Sequence, residues 1–230
     1  PKIISRKGHV AVAGKIEDYS MKILANVVVP DQTDGELRIE GYGSLDSLDV
    51  SRVDLHVLEG TVKGKAKFSW KPELNGTIEL DGYGLNPGVL KQEWPGKLGV
   101  TLRAQGGLKD QQPSLQLPQL EVQGQLRGHE LSLDAAGTYE KNLTILKRLA
   151  LSSGSTQLNV SGTIGDKLDV SWMMQSADLG TLLPKAEGRL DGKGTFAGAG
   201  KLPQITANLT ADNLVYSDYN LKALDLMADI

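Results

Sequence analysis

Apolar and polar residues alternate along almost the whole chain. In segment 36–40, Leu37 and Ile39 alternate with three charged residues. The same period of two recurs in segments 77–81, 97–103, 114–117, 130–134, 157–161 and 167–172. A period of two places successive side chains on opposite faces of a β-strand. The sequence therefore predicts an all-β fold whose strands have one apolar and one polar face.

Short turn signals stand between these runs. Glycine-containing dipeptides of the hairpin type occur at 34–35, 75–76, 81–82, 106–107, 165–166 and 191–192. Short links favour antiparallel neighbours, because a parallel pair needs a crossover of a dozen or more residues. We therefore expect a mostly antiparallel sheet with few or no helices.

Two apolar segments that contain proline, 85–90 and 179–184, interrupt the alternation, and each predicts a short turn or a single helical turn. They lie 94 residues apart (179 minus 85), and the same offset superposes 37–90 on 131–184 without a gap. Two interpretations stand: an internal repeat with units 37–130 and 131–230, or a strand rhythm that any regular β protein shares. Pro1 is not an initiator Met and no polar tail precedes Ile230, so we expect residues 1–230 to be a fragment of a longer chain.

The continuous apolar face must be covered, because removing apolar surface from water lowers the free energy by about 25 cal/mol per Å². The sequence has no long amphipathic helix, which leaves a second sheet, closure into a barrel or a bound apolar ligand. Sandwich cores usually contain aromatic anchors, whereas Leu, Val and Ile dominate here, which suits a hydrophobic groove for flexible acyl chains. For each single residue, an ordinary closed core position stays open as an equal alternative. The candidate groove-lining residues are Leu37, Ile39, Leu55, Val57, Ile78, Leu80, Leu98, Val100, Leu102, Leu115, Leu117, Leu131, Leu133, Leu158, Val160, Leu168, Val170 and Trp172.

Composition excludes several classes of function. The 230 residues carry 25 basic and 28 acidic side chains without a long basic run, which argues against nucleic-acid binding. The absence of Cys removes disulfides, thiolate metal sites and Cys nucleophiles. No run of apolar residues is long enough for a membrane-spanning helix.

Catalytic signals are equally sparse. His9, His56 and His129 are scattered and do not stand at metal-ligand spacing. Residues 192–197 fit a dinucleotide-binding pattern loosely, but a further strand is predicted after them instead of the required helix. We expect no enzymatic activity, no cofactor and no metal.

Three segments near the C-terminus resemble the TamB family of the AsmA-like superfamily: 179–184 (LGTLLP), 186–198 (AEGRLDGKGTFAG) and 202–216 (LPQITANLTADNLVY). Segments 82–90 (GYGLNPGVL) and 94–98 (WPGKL) resemble the same family. The resemblance implies a taco-like β trough that crosses the periplasm of Gram-negative bacteria. The whole protein would be anchored in the inner membrane and would meet a TamA-like partner at the outer membrane.

The resemblance further implies that residues 1–230 are an internal periplasmic segment, a fragment of one elongated, repetitive β structure. It would carry phospholipid acyl chains in the trough, in support of outer-membrane biogenesis and protein assembly. Bare sheet edges additionally predict self-association of the fragment.

A different class of protein remains as an alternative. A non-enzymatic adhesin, or a carbohydrate-binding β-solenoid or sandwich, would use Trp70, Trp94 and Trp172 as stacking platforms for sugars. In a lipid groove the same residues would lie at the rim, and in an ordinary core they would be packing anchors.

Overall fold

The computed structural model describes residues 4–28, 35–109, 111–199 and 202–230. Within these ranges the chain forms β-strands and two single-turn 3-10 helices, named η1 and η2. The elements are β1 (Ile4–Lys15), β2 (Asp18–Val28), β3 (Gly35–Gly43), β4 (Ser47–Val57), β5 (Gly60–Ser69), β6 (Asn75–Leu85), η1 (Pro87–Val89), β7 (Gly96–Lys109), β8 (Gln112–Leu126), β9 (His129–Glu140), β10 (Leu143–Ser153), β11 (Thr156–Ile164), β12 (Lys167–Ser176), η2 (Leu179–Thr181), β13 (Ala186–Ala199), β14 (Leu202–Tyr216) and β15 (Tyr219–Asp229).

Within β1–β7 and within β9–β15, the order of the strands in the sheet follows the sequence. The pairings within β1–β7 and within β9–β15 are antiparallel. Each alternating segment identified in the sequence lies in a strand, and η1 and η2 fall in the two interrupting segments. The predicted all-β, mostly antiparallel fold with few helices is confirmed.

Most of the predicted turn positions are wrong. Asp81-Gly82, Gly106-Gly107 and Asp191-Gly192 lie inside strands and Asn75-Gly76 begins β6, whereas Gly165-Asp166 forms a turn as expected. Asp34 of the predicted Asp34-Gly35 turn lies outside the described residues. The two-residue turn between β4 and β5 is instead Leu58-Glu59, with φ angles of 52° and 61°. Both central residues of a type I′ turn need positive φ, and here the pairing of the flanking strands imposes that conformation on residues that rarely adopt it.

The chain consists of two compact units, Pro1–Gln116 (unit 1) and Leu117–Ile230 (unit 2). Within the described residues, each unit contains one 3-10 turn, and both turns begin with the same kind of side-chain cap. The Asn86 side chain accepts a hydrogen bond from the Gly88 amide before η1, and Asp178 accepts one from Gly180 before η2. These caps lie 92 residues apart (178 minus 86), close to the offset of the sequence comparison. The internal repeat stays a prediction.

Opposite charges on neighbouring strands help to fix the register of the polar face. On β6 and β7 of unit 1, Arg103 Nη2 donates to both carboxylate oxygens of Asp81 at 2.9 Å, while Arg103 Nη1 donates to the carbonyls of Leu80 and Leu102 at 2.9 Å. Glu79 Oε2 lies 3.2 Å from Lys65 Nζ on β5. A one-residue slip would turn every side chain of a strand to the other face, so it would break these pairs and expose the apolar residues together.

We expect a double-mutant cycle of Asp81→Asn and Arg103→Gln to give a coupling energy of about 0.5–1 kcal/mol, the range of well-oriented surface pairs. The coupling should fall in ~1 M NaCl, where the screening length is about 3 Å. Urea unfolding of the four proteins at low and high salt measures it. A coupling near zero at low salt would contradict a stabilising role for this pair.

Candidate functional site

The strand register gathers the candidate lining residues of unit 1 into rows that run across the sheet. One row, from β2 to β7, consists of Ala25, Leu37, Leu55, Val62, Gly82 and Val100. The next row consists of Ile23, Ile39, Val53, Gly64, Leu80 and Leu102. Residues separated in sequence by up to 79 positions (102 minus 23) thus share one continuous apolar face.

Unit 2 has an equivalent apolar face on β9 to β15. One of its rows consists of Leu133, Leu151, Leu158, Met174, Gly192, Leu209 and Leu226. The adjacent row consists of Ala135, Leu149, Val160, Trp172, Gly194, Ala207 and Ala228. Val170 and Leu168 follow in the next rows toward one end of the strands. Within each unit, the register therefore joins the predicted residues of these rows on a common surface, while Leu115 and Leu117 lie on β8.

These faces are not sealed by protein atoms. Among the candidate lining residues, only Leu98 is buried, with 8% of its surface exposed, and Leu115 is 49% exposed. Every other candidate is half-buried. Residues of a closed core would be almost fully buried. Each unit therefore presents an apolar surface that remains accessible to solvent.

Trp172 shows why glycines stand inside the strands. Its indole lies over β13, where a Cβ atom built on Gly194 would come within 2.9 Å of Trp172 Nε1, and one on Gly192 within 3.1 Å of the six-membered ring. Because these glycines have no side chains, the indole ring can pack directly against the backbone of β13. Trp70 and Trp94 belong to unit 1, where the indole N–H of Trp70 donates to the Leu45 carbonyl.

A buried cluster of hydroxyl groups closes one end of the apolar face of unit 2. Ser153, Thr156 and Ser176 lie side by side on β10, β11 and β12 and are at most 1% exposed. Thr156 Oγ1 lies 2.7 Å from Ser176 Oγ and 3.1 Å from the Thr181 hydroxyl. The Thr181 hydroxyl in turn donates to the Ser153 carbonyl at 2.9 Å.

The hydroxyl cluster fastens η2 over the apolar face. Arg127, in the turn between β8 and β9, donates from Nη1 to the Gly180 carbonyl at 2.8 Å and adds a second anchor. Leu179 is buried as a result, with 6% of its surface exposed. Sequence reasoning did not identify these residues. The available signal was that Ser153, Thr156 and Ser176 interrupt the apolar positions of their strands, since each stands two residues from a Leu or Met on the same face.

In unit 1, η1 is held by different contacts. The amide of Asn86 donates to the Leu58 carbonyl at 2.8 Å, and Asn86 Nδ2 donates to Glu59 Oε2 at 2.6 Å. Asn86 Oδ1 accepts a further hydrogen bond from the Gly96 amide at 3.0 Å. The turn is thereby tied to both the β4–β5 hairpin and the start of β7.

The charged groups of the site lie on the polar face. In unit 2, the hydrogen bond from Arg148 to the Asp134 carboxylate raises the pKa of the Arg148 guanidinium, and the charge of Asp134 adds to this effect. Across the described ranges of the chain, no group of three or more His, Asp or Glu side chains could hold a metal ion. The helices described in the structure are too short to cross a membrane.

Comparison with known proteins gives a family match over the whole chain. The family described as TamB, N-terminal domain, matches residues 1–230. A Haemophilus influenzae protein named translocation and assembly module subunit TamB is 22% identical over 196 residues, which cover 85% of this chain and 15% of that protein. An uncharacterized protein of Buchnera aphidicola is 24% identical over 116 residues, covering 50% of this chain and 12% of that protein. The chain thus spans about a seventh or less of the length of these relatives. No solved structure matches it significantly.

Proposed function

Since the chain belongs to the TamB N-terminal domain family, we propose that it works in a translocation and assembly module of the Gram-negative cell envelope. In this proposal it is a periplasmic segment of a protein anchored in the inner membrane. The name of the Haemophilus influenzae relative supports the assignment. Contact with a TamA-like partner at the outer membrane would be made through the full-length protein.

Within that module, the apolar faces carry phospholipid between the inner and outer membranes and so support outer-membrane biogenesis and protein assembly. The observation that carries this proposal is the half-buried state of the lining residues, which leaves the rows of each unit able to contact a ligand. An acyl chain on such a row would remove the remaining apolar surface from water, at about 25 cal/mol per Å².

In this proposal the two parts of a phospholipid are in different surroundings. Acyl chains lie against the aliphatic rows, and the charged headgroups stay in water. The seven strands β9 to β15, at about 4.8 Å spacing, give the rows of unit 2 a length of roughly 29 Å. The transport needs no catalytic step, because the lipid moves without a change in its covalent structure.

The chain expressed in the bacterial envelope and purified in mild conditions should carry bound phospholipid. Quantitative mass spectrometry of the organic extract measures the lipid per protein, and a periplasmic protein of similar size with a sealed core serves as the control. A protein that keeps its fold but carries no lipid would contradict the transport proposal.

A further inference from the structure

A cavity of about 440 Å³ opens on the apolar face of unit 1. Its lining residues come from β5, β6, β7, the start of β8 and the turn before β6. The apolar side chains among them are Phe68, Leu74, Ile78, Ala104 and Leu115. We call this cavity the Phe68 pocket. Two of its residues, Ile78 and Leu115, are candidate lining residues of the groove.

Small residues between two large ones create the pocket. Phe68 on β5 pairs with Gly76 on β6, which pairs with Gly106 on β7. A Cβ on Gly76 would come within 2.7 Å of the Phe68 ring, so the ring leans over this glycine. At the far side, a Cβ on Gly106 would lie 3.3 Å from Leu115 Cδ1. Gly76, Ala104 and Gly106 therefore form a hollow between the walls made by Phe68 and Leu115.

The chemistry of the lining matches an uncharged aliphatic ligand. None of the described residues that line the pocket is ionisable. The amides of two polar lining residues already donate hydrogen bonds: Gln105 to Gln116 Oε1 at 2.6 Å, and Asn75 to the Glu73 carbonyl at 3.2 Å. A sugar or a lipid headgroup would find little to bind there, whereas apolar cavities of this kind accept apolar ligands.

The mouth of the pocket is apolar as well. Leu74 is 46% exposed and Leu115 is 49% exposed. Leu108, whose amide donates to the Leu74 carbonyl, is 41% exposed. An aliphatic chain lying along the neighbouring rows therefore meets these three leucine side chains as it enters the pocket.

We propose that the Phe68 pocket is a discrete binding site for one unbranched acyl chain, at which the groove of unit 1 holds its cargo in a defined position. The inference rests on the proposed function, which requires only that acyl chains contact the apolar faces. It adds that contact is concentrated where Gly76, Ala104 and Gly106 make the surface concave.

Ala104 and Ala66 provide a matched pair of test positions. Both are half-buried on the apolar face, and both are direct cross-strand partners of Ile78, Ala66 on β5 and Ala104 on β7. Only Ala104 lines the pocket. Ala104→Leu fills the hollow, whereas Ala66→Leu adds the same side chain on the other side of Ile78.

The probe is palmitic acid with a diazirine at the end of the chain, bound to the whole 230-residue protein and photolysed, with adducts mapped by peptide mass spectrometry. We expect the adducts that unlabelled palmitate competes away to concentrate on Phe68, Leu74, Ile78 and Leu115 within unit 1. Ala104→Leu should lower their yield at subsaturating probe about tenfold, as the loss of a few methylene contacts implies, and Ala66→Leu should leave it within about twofold.

Phe68→Leu gives a second measurement in which the protein does not have to accommodate a larger side chain. Because it removes one wall of the pocket, the adducts should spread over more residues. Far-UV circular dichroism checks the fold of each variant. Competable adducts spread evenly along both units, or an equal response to the two leucine substitutions, would overturn the pocket while leaving the proposed function standing. A complete absence of competable adducts would overturn both.

Discussion

A protein with Ile78→Asp and Val160→Asp, one charge on the apolar face of each unit, should lose bound phospholipid by at least about tenfold and keep its fold. Both residues are half-buried, so in the empty protein the new carboxylates can still reach water. An acyl chain would have to bury them without a partner, which costs several kcal/mol, and 1.4 kcal/mol already corresponds to a tenfold change. Lipid per protein from mass spectrometry, together with thermal unfolding, measures the two effects.

Thr77→Asp with Ser161→Asp is the matched control. Each control residue adjoins a test residue in the sequence and points to the opposite, polar face of the same strand. This variant should bind lipid as the parent protein does. If Ile78→Asp with Val160→Asp instead unfolds the protein, those residues behave as a closed core and the open groove is contradicted.

Thr156→Val should destabilise unit 2 by about 1–3 kcal/mol, the cost of leaving a buried hydroxyl without a partner. The substitution keeps the shape of the side chain but removes the 2.7 Å hydrogen bond to Ser176 Oγ, and Ser176 is only 1% exposed. Thr181 loses one of its contacts as well, so η2 should detach more often. Urea unfolding measures the stability, and hydrogen exchange of the amides at 179–183 reports the detachment of η2.

Thr206→Val controls for the loss of a hydroxyl. Thr206 makes a similar bond, 2.8 Å to the Thr195 hydroxyl, but the pair is exposed and water can replace the lost partner. Its effect on stability should be within about 0.5 kcal/mol, as for other surface substitutions. Equal effects of the two substitutions would show that the hydroxyl cluster does not hold η2.

Alternation in the sequence was sufficient to predict which side chains share a strand face. Leu37 and Ile39, for example, lie on the apolar face of β3 because side-chain direction in a strand is a local property with a period of two. The glycine-containing dipeptides, in contrast, predicted turns at the wrong positions. Gly82, Gly106 and Gly192 predict turns by their dipeptides, but in the structure they lie in strands beneath or beside large side chains. A single sequence does not distinguish a glycine that allows the positive φ angle of a turn from a glycine that makes room for a neighbouring side chain.

The sequence by itself determined the fold class, the apolar face of each strand and the resemblance to the TamB family. All three depend on the local alternation of residues and on short sequence motifs. The tertiary structure decided what those faces form: the rows that join Leu37 to Val100, the hydroxyl cluster under η2, and the hollow between Phe68 and Leu115. Each of these depends on the register between strands and on contacts across many residues. Such register is a property of pairs of strands, so no single segment of the chain encodes it.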